Sequence, residues 1–302
     1  MSQRPEILVV TPDHYRVSYR INPWMQPETW ARDAPGLQRA AAESHAAFRL
    51  ALQQAGCSLI ERRGAPDAPD MVFPANAAIV LDGRALMARF RHTQRKLEEA
   101  PFLAMFREMP APGRLQEIGL FPPSCHQEGA GDCIWDAGRA HFWAGYGPRS
   151  DVDAVSVIED FFGKPVVSLE LASERCYHLD VCFCPLSGGE ILYYPAALTA
   201  QARRTLYERV PRENLIEADD DDLSRFNVNA VNVGRELVMS RAGPRLRAVL
   251  AERGYRIREV DLSPFMLSGG GAYCMTLRLD RSSLAPQGEA FGEAATEEER
   301  TP

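Results

Sequence analysis

Leu267-Ser268-Gly269-Gly270-Gly271-Ala272-Tyr273-Cys274-Met275-Thr276-Leu277 is the stretch around which the rest of the chain is organised. Its three glycines end an amphipathic segment and lead into an alternating, strand-like run. Glycine is used where the backbone needs a positive φ, or where another group must approach closer than a Cβ allows. A cysteine at the first well-packed position after such a loop has a held backbone and an open approach. Successive N–H groups of a glycine-rich turn favour negative charge, so the loop is expected to favour the thiolate of Cys274, the nucleophilic form. The competing reading is a buried structural cysteine at a strand start.

Working back toward the N-terminus, short strands alternate with single helices. Strands are expected at Glu6–Val10, Ser58–Glu61, Ala85–Phe90, Ile134–Asp136, His141–Ala144, Val166–Leu171 and Tyr177–Cys184. Further strands are expected at Ile191–Tyr194, Asn214–Glu217, Val228–Val233, Glu236–Ser240 and Tyr255–Val260, and residues 69–80 read as strand–loop–strand. Helices are expected at Leu37–Gly56, where Leu37, Ala41, Phe48, Leu52 and Ala55 share a face, and at His92–Met109, Asp151–Phe162, Ala197–Val210 and Gly243–Gly254. Asp219–Asp222 reads as an acidic turn. The pattern is a repeated strand–strand–helix–strand unit, not strict βα alternation. No nucleotide-binding glycine motif occurs.

The chain has 302 residues, 45% hydrophobic and 25% charged, with a formal net charge of −7. That balance, without any basic cluster, argues against nucleic acid as a partner. Seven cysteines without repeated spacing argue against a secreted disulfide framework. The N-terminal apolar run is too short for a signal peptide, and no stretch reaches the ~20 apolar residues that span a bilayer. A reduced, cytoplasmic protein without membrane contact is expected. Residues 1–281 read as one catalytic domain and 282–302 as a disordered acidic tail. Self-association is left open.

Polar residues stand out in four places. Tyr177–Cys184 alternates, so His178, Asp180, Cys182 and Cys184 are expected on one face of a strand, with the histidine able to move protons and the carboxylate able to bind a cation. A metal on His178, Cys182 and Cys184 is the alternative, but ligands spaced by two diverge along ~7 Å of strand and fit a tetrahedral ion poorly. A structural cluster without function is the other alternative. Glu128 and Asp132 flank the glycines of EGAGD, where turn chemistry competes with cation binding. Asn76, in an apolar run, is expected to be buried and hydrogen-bonded. Asn22 is held extended by Pro23.

Taken together, Asn22 in INPWM, Asn76 in DMVFPANAAIV, Arg95 in ARFRHTQRK, Glu128 in EGAGD, His178 and Asp180 in YHLDVCFCP, and Cys274 in SGGGAYCMTL resemble the guanidine-modifying (pentein, amidinotransferase-fold) superfamily. This superfamily includes arginine deiminases, dimethylarginine dimethylaminohydrolases and arginine dihydrolases. The likeness runs in order from Ile7 to Leu279, and is strong to the dihydrolase domain that begins some cyanobacterial ornithine-forming enzymes. It implies a five-bladed α/β propeller of ββαβ units around a central active-site channel. It also implies roles: Cys274 the nucleophile, His178 the general acid/base, Glu128 and Asp180 on the guanidinium, Asn22 and Arg95 on the α-carboxylate. No cofactor or metal is implied, and the only partner implied is a small guanidino or ureido amino acid such as arginine. Asn76 stands where deiminases and dimethylarginine hydrolases carry aspartate. Because an amide both donates and accepts, it suits a ureido group as well as a guanidinium, which favours a dihydrolase. Deiminase, dimethylarginine hydrolase, citrulline ureidohydrolase and a non-catalytic binding protein on the same scaffold remain alternatives.

Overall fold

The computed structural model describes residues 4–109 and 115–284. Its strands form five three-stranded sheets in a mixed α/β fold. Every sheet is built the same way: an antiparallel pair, then a helix, then a third strand parallel to the middle one. Ala78–Leu81 and Arg84–Met87 pair antiparallel, Glu99–Arg107 is the helix, and Glu117–Leu120 returns parallel. Cys133–Asp136, His141–Tyr146, Ala154–Phe162 and Val166–Glu170 repeat the unit. So do Phe183–Pro185, Ile191–Tyr193, Ala200–Arg209 and Leu215–Glu217. The next unit is Val231–Val233, Glu236–Met239, Pro244–Glu252 and Arg256–Glu259. The remaining sheet joins the two ends of the chain. Leu277–Arg278 pairs antiparallel with Glu6–Thr11, and Ser58–Arg63 lies parallel to Glu6–Thr11 on its other side.

Both faces of the middle strands are buried, which explains their nearly continuous apolar runs, whereas the third strands are partly exposed. Alternate residues serve different cores. Ile7 and Val9 pack with Val231 and Val238 of the preceding unit, whereas Leu8 and Val10 pack with Ala78, Val80 and Ala85 of the following one. Ile79 and Leu81 point the other way, to Cys133, Trp135 and Phe142. Trp143 and Leu169 meet Phe183 and Ile191, and Cys184 and Leu192 meet Leu237 and Met239. Each unit therefore shares one core with each neighbour, and the last shares a core with the first.

Helix boundaries follow local chemistry. Ala34–Gln54 begins after Asp33, whose carboxylate accepts from the Gly36 N–H at 3.0 Å, and Pro35 occupies its first turn. Ala154–Phe162 stops at Gly163, whose φ of 63° is left-handed.

Several expected elements differ. Pro69–Val72 and Pro74–Ala77 are 3-10 turns, each opened by a proline pre-set for the first helical position. Tyr177–Cys184 is not an alternating strand. Leu179–Val181 is a 3-10 turn closed by Val181 N–H to His178 O (3.3 Å) and Cys182 N–H to Leu179 O (3.0 Å), and only Phe183–Pro185 is extended. Asp220–Ser224 is a short helix because Asp219 and Asp222 form a reciprocal capping box. After Cys274 the chain stays in turns, and only Leu277–Arg278 is strand. Of the expected tail, Ser282 and Ser283 hydrogen-bond the Asp82 carboxylate, and 285–302 lie outside the described residues. No helix among the described residues is long and apolar enough to cross a membrane.

Candidate active site

Each sheet's first strand is preceded by a tight turn, and these turns carry the polar residues. Asn76 precedes Ala78–Leu81, and Glu128 and Asp132 precede Cys133–Asp136. His178 and Asp180 precede Phe183–Pro185, Asn229 precedes Val231–Val233, and Cys274 precedes Leu277–Arg278. Hydrogen bonds link the turns in a closed circuit. Ala75 N–H donates to Cys274 O (3.2 Å), and Tyr273 N–H donates to Asn229 O (3.2 Å). Asn229 Nδ2 donates to Asp180 O (3.0 Å), Leu179 N–H to Asp132 Oδ1 (2.9 Å), and Asn76 Nδ2 to Glu128 O (3.1 Å). All five units thus meet through their turns.

The glycines make that approach feasible. A Cβ on Gly131 would lie 2.1 Å from Asn76 Nδ2, and one on Gly129, itself at φ +66°, would lie 2.6 Å from Ala75 O. In the triple-glycine loop, a Cβ on Gly270 would strike the Phe73 ring at 2.2 Å, and one on Gly269 would press on Asn22 at 2.8 Å.

At the centre is a cavity of about 10 Å³ lined by Asn22, Asp70, Asn76, Arg95, Arg149 and Cys274, among others. It holds roughly one water, so seating an amino acid requires its wall to open. Cys274 Sγ donates to Asp180 Oδ2 at 3.1 Å and accepts from Asn229 Nδ2 at 3.1 Å, while the Cys274 N–H donates to Asn229 Oδ1 at 3.1 Å. Burial, and then the neighbouring Asp180, push the Cys274 thiol well above its usual range. Contrary to the expectation of a thiolate, the resting form is a thiol, because burial, with the adjacent Asp180 adding to it, outweighs the backbone contribution of the glycine loop. Burial also pushes Asp180 up to about 7, opposed by its hydrogen bond from Cys274.

His178 Nε2 lies 2.7 Å from Glu128 Oε2, and Arg149 Nη1 donates to the same oxygen at 2.9 Å. Burial works against a charged Glu128, yet Arg149 and His178 hold it well below the usual carboxylate range. Burial, and then Arg149 and Arg95, bring His178 down to about 4 against the pull of Glu128, so it is a neutral base.

Two sequence expectations change here. Arg95 does not present an open fork: Nε and Nη2 both donate to Glu98 at 2.7 Å, and Nη1 donates to Asn76 Oδ1 at 2.8 Å. Asn76 therefore has its acceptor spent and turns only N–H groups toward the site. Asn22 is likewise engaged, accepting from Trp24 N–H (2.9 Å) and donating to Ser268 O (3.0 Å), so it ties its loop to the glycine loop. Cys182 and Cys184 turn aside, the one toward Leu179 O and the other toward Ala230 O. The premise of one shared strand face with His178 does not hold.

Sequence reasoning missed Arg149, Asn229, Asp70 and Glu98. Asn229 could have been found from its place in the repeat, just before a unit's first strand. Asp70 and Glu98 sit three residues or more from recognised motif positions, and their partners come from the fold. Two of the buried carboxylate oxygens here, Asp70 Oδ1 and Asp180 Oδ1, have no hydrogen-bond partner. An unsatisfied buried acceptor costs about 1–3 kcal/mol, so both suit a donor ligand.

A family model described as N,N dimethylarginine dimethylhydrolase, eukaryotic, matches residues 20–281. The bifunctional arginine dihydrolase/ornithine cyclodeaminase ArgZ of Synechocystis sp. is 39% identical over 94% of this chain and 39% of its own length. The chain thus spans less than half the length of such bifunctional relatives. The N(G),N(G)-dimethylarginine dimethylaminohydrolase of Mycobacterium tuberculosis is 31% identical, covering 89% of this chain and 83% of its own. Among solved structures, the substrate-bound N-terminal domain of ArgZ, in a cysteine-to-serine form and described as an arginine dihydrolase, superposes with a TM-score of 0.85 at 38% identity, covering 93% of this chain and 100% of that one. The chain belongs to the N,N-dimethylarginine dimethylhydrolase family, within the guanidine-modifying pentein superfamily and close to its arginine dihydrolase domains.

Proposed function

We propose that the chain is an arginine dihydrolase, hydrolysing the guanidino group through a covalent thiouronium on Cys274 and repeating the chemistry on citrulline to give ornithine, CO2 and ammonia. The observation that carries this reading is the pair of unpartnered carboxylate oxygens, Asp70 Oδ1 in the wall of the cavity that Cys274 lines, and Asp180 Oδ1 on the carboxylate that Cys274 Sγ hydrogen-bonds. Arginine brings two cationic donors, a guanidinium and an α-ammonium. The oxygen beside Cys274 suits the guanidinium, and Asp70 suits the ammonium. Arg95 and Arg149 both line the cavity and are the guanidiniums available to the α-carboxylate; Arg95 is shared with Glu98 and Asn76, and Arg149 with Glu128 and the Ile21 carbonyl. Asn22 then shapes the wall.

The protonation states support a substrate-assisted reaction. A guanidinium on Asp180 places a positive charge beside Cys274, opposing both the burial and the carboxylate that keep it protonated, so the thiolate forms when substrate is present. The thiol proton passes to neutral His178, sulfur attacks the guanidinium carbon, and His178 returns the proton to the departing nitrogen, releasing ammonia. His178 next takes a proton from water as that water attacks the thiouronium. Collapse expels the thiolate and leaves the ureido group of citrulline. The Asn76 amide, in place of a carboxylate, sets N–H groups and no negative charge beside that neutral group, which supports a second round.

The five ββαβ units, each sharing a core with its neighbours, support a five-bladed propeller with the linked turns at its axis. Residues 1–281 then form one catalytic unit. The seven unpaired cysteines accord with a reducing, cytoplasmic setting. Incubation with arginine, dimethylarginine and citrulline, read by mass spectrometry, tests the reading. Ornithine and ammonia from arginine support it. Accumulation of citrulline alone indicates a deiminase, dimethylamine release a dimethylarginine hydrolase, and no product a binding protein.

A further inference from the structure

The orientation of the Asn76 amide is settled by neighbours whose polarity is unambiguous. An arginine can only donate, so the atom 2.8 Å from Arg95 Nη1 is the amide oxygen. A backbone carbonyl can only accept, so the atom 3.1 Å from Glu128 O is the amide nitrogen. That nitrogen also faces His178 Nδ1 at 3.4 Å, which makes Nδ1 an acceptor and puts the imidazole proton on Nε2, against Glu128 Oε2 at 2.7 Å. Upstream, Arg95 has little freedom. Glu98 takes Nε and Nη2, the Phe90 ring lies 4.6 Å from its guanidinium carbon, and both partners are buried, with Glu98 at 0% exposure.

We propose that the buried Arg95–Glu98 pair is a positioning device that fixes the Asn76 amide and, through it, selects the Nε2–H tautomer of His178, leaving Nδ1 as the proton-accepting atom. Glu98 is the positioning residue and touches no reacting atom. The relay explains why an amide at position 76 matters beyond its fit to a ureido group. An aspartate there would accept a hydrogen bond from a protonated Nδ1, placing His178 between two carboxylates as an imidazolium. Such a histidine enters the first step already protonated and becomes a base only after giving that proton to the departing nitrogen. Its bearing on turnover rests on the dihydrolase reading, but the tautomer itself does not.

The test is the imidazole nitrogen spectrum of the full chain labelled with 15N-histidine, recorded without substrate at neutral pH, with His178 assigned from its loss in His178→Gln. The expected wild-type pattern is a pyridine-like Nδ1 and a pyrrole-like Nε2. Asn76→Asp should turn both nitrogens imidazolium-like. Glu98→Asp, which keeps the charge but shortens the reach to Arg95, should give tautomer-averaged shifts and lower the ornithine-to-citrulline ratio about tenfold, the effect of one weakened hydrogen bond. A wild-type Nδ1–H tautomer, or a folded Glu98→Asp with unchanged His178 shifts, would overturn the proposal. Should Glu98→Asp fail to fold, Asn76→Asp decides, and unchanged His178 shifts there would also overturn it. If the wild type shows the expected tautomer but does not turn over arginine, the relay stands and the dihydrolase reading fails.

Discussion

Replacing Gly131 with alanine tests whether the close approach of two turns builds the site. The added Cβ would stand 2.1 Å from Asn76 Nδ2 and 3.5 Å from His178 Nδ1. An amide at a side-chain end can often swing away cheaply, but Asn76 is 2% exposed and pinned by Arg95 on one side and Glu128 O on the other. Regaining ordinary contact requires a shift of roughly 1 Å or more, which lengthens both hydrogen bonds past usefulness. Overpacking costs about 1–3 kcal/mol and each strained hydrogen bond about 1 kcal/mol, giving a loss of roughly 3 kcal/mol. In a chain of this size that lowers the melting temperature by about 5 °C. Ornithine formation should fall at least ~10-fold, because Asn76 leaves its seat against His178. Calorimetry and product analysis check both effects, with Gly138→Ala as control: Gly138 is exposed, and its Cβ would meet nothing closer than Asp136 at 3.5 Å. Gly131→Ala melting with the wild type and making ornithine at the wild-type rate would refute the idea that this glycine admits Asn76.

Three further outcomes are expected. Cys274→Ser should abolish turnover while keeping the fold and arginine binding, since the hydroxyl can replace the thiol against Asp180 but ionises far less readily; measurable turnover would remove Cys274 as nucleophile. Because Cys274 rests as a thiol beside Asp180, chloroacetamide should label it slowly at neutral pH, and cationic chloroacetamidine should react at least ~10-fold faster; equal rates would show that cation binding does not assist thiolate formation. Acid should destabilise the fold through its buried neutral histidines. His178 and His45 are each lowered from 6.5 to about 4. As pH falls below 6.5 the unfolded chain takes up protons that the folded one refuses, so stability declines until the folded values are reached. Each histidine accounts for roughly 2 kcal/mol between pH 6.5 and 5. Urea unfolding at both pH values checks this, and His45→Gln with an undiminished acid slope would contradict it.

The repeat was legible in the sequence because hydrophobic patterning is what strands sandwiched between two cores require. Ile7, Leu8, Val9 and Val10 read as one apolar run, and the structure divides them between two neighbouring cores. The turns were less legible for the same reason. Leu179, Val181 and Phe183 alternate as a strand would, but all three are buried in one core by a 3-10 turn, and the alternation records burial without recording conformation. What distinguishes the turn is a partner remote in sequence, Asp132, which takes the Leu179 N–H. Electrostatic states escaped a local reading in the same way. The glycine loop alone argues for a thiolate at Cys274, and only the fold places Asp180 3.1 Å from its sulfur. Arg95 and Asn76 were singled out as separate contacts with substrate. The hydrogen bond between them, with Glu98 behind, links two expected binding residues in one line that ends at His178. A motif can give the residue types in such a line. Which atom of each faces the next follows only from neighbours that can donate but not accept, or accept but not donate, and those neighbours come both from the unit that carries Asn76, as Arg95 does, and from the next, as Glu128 does.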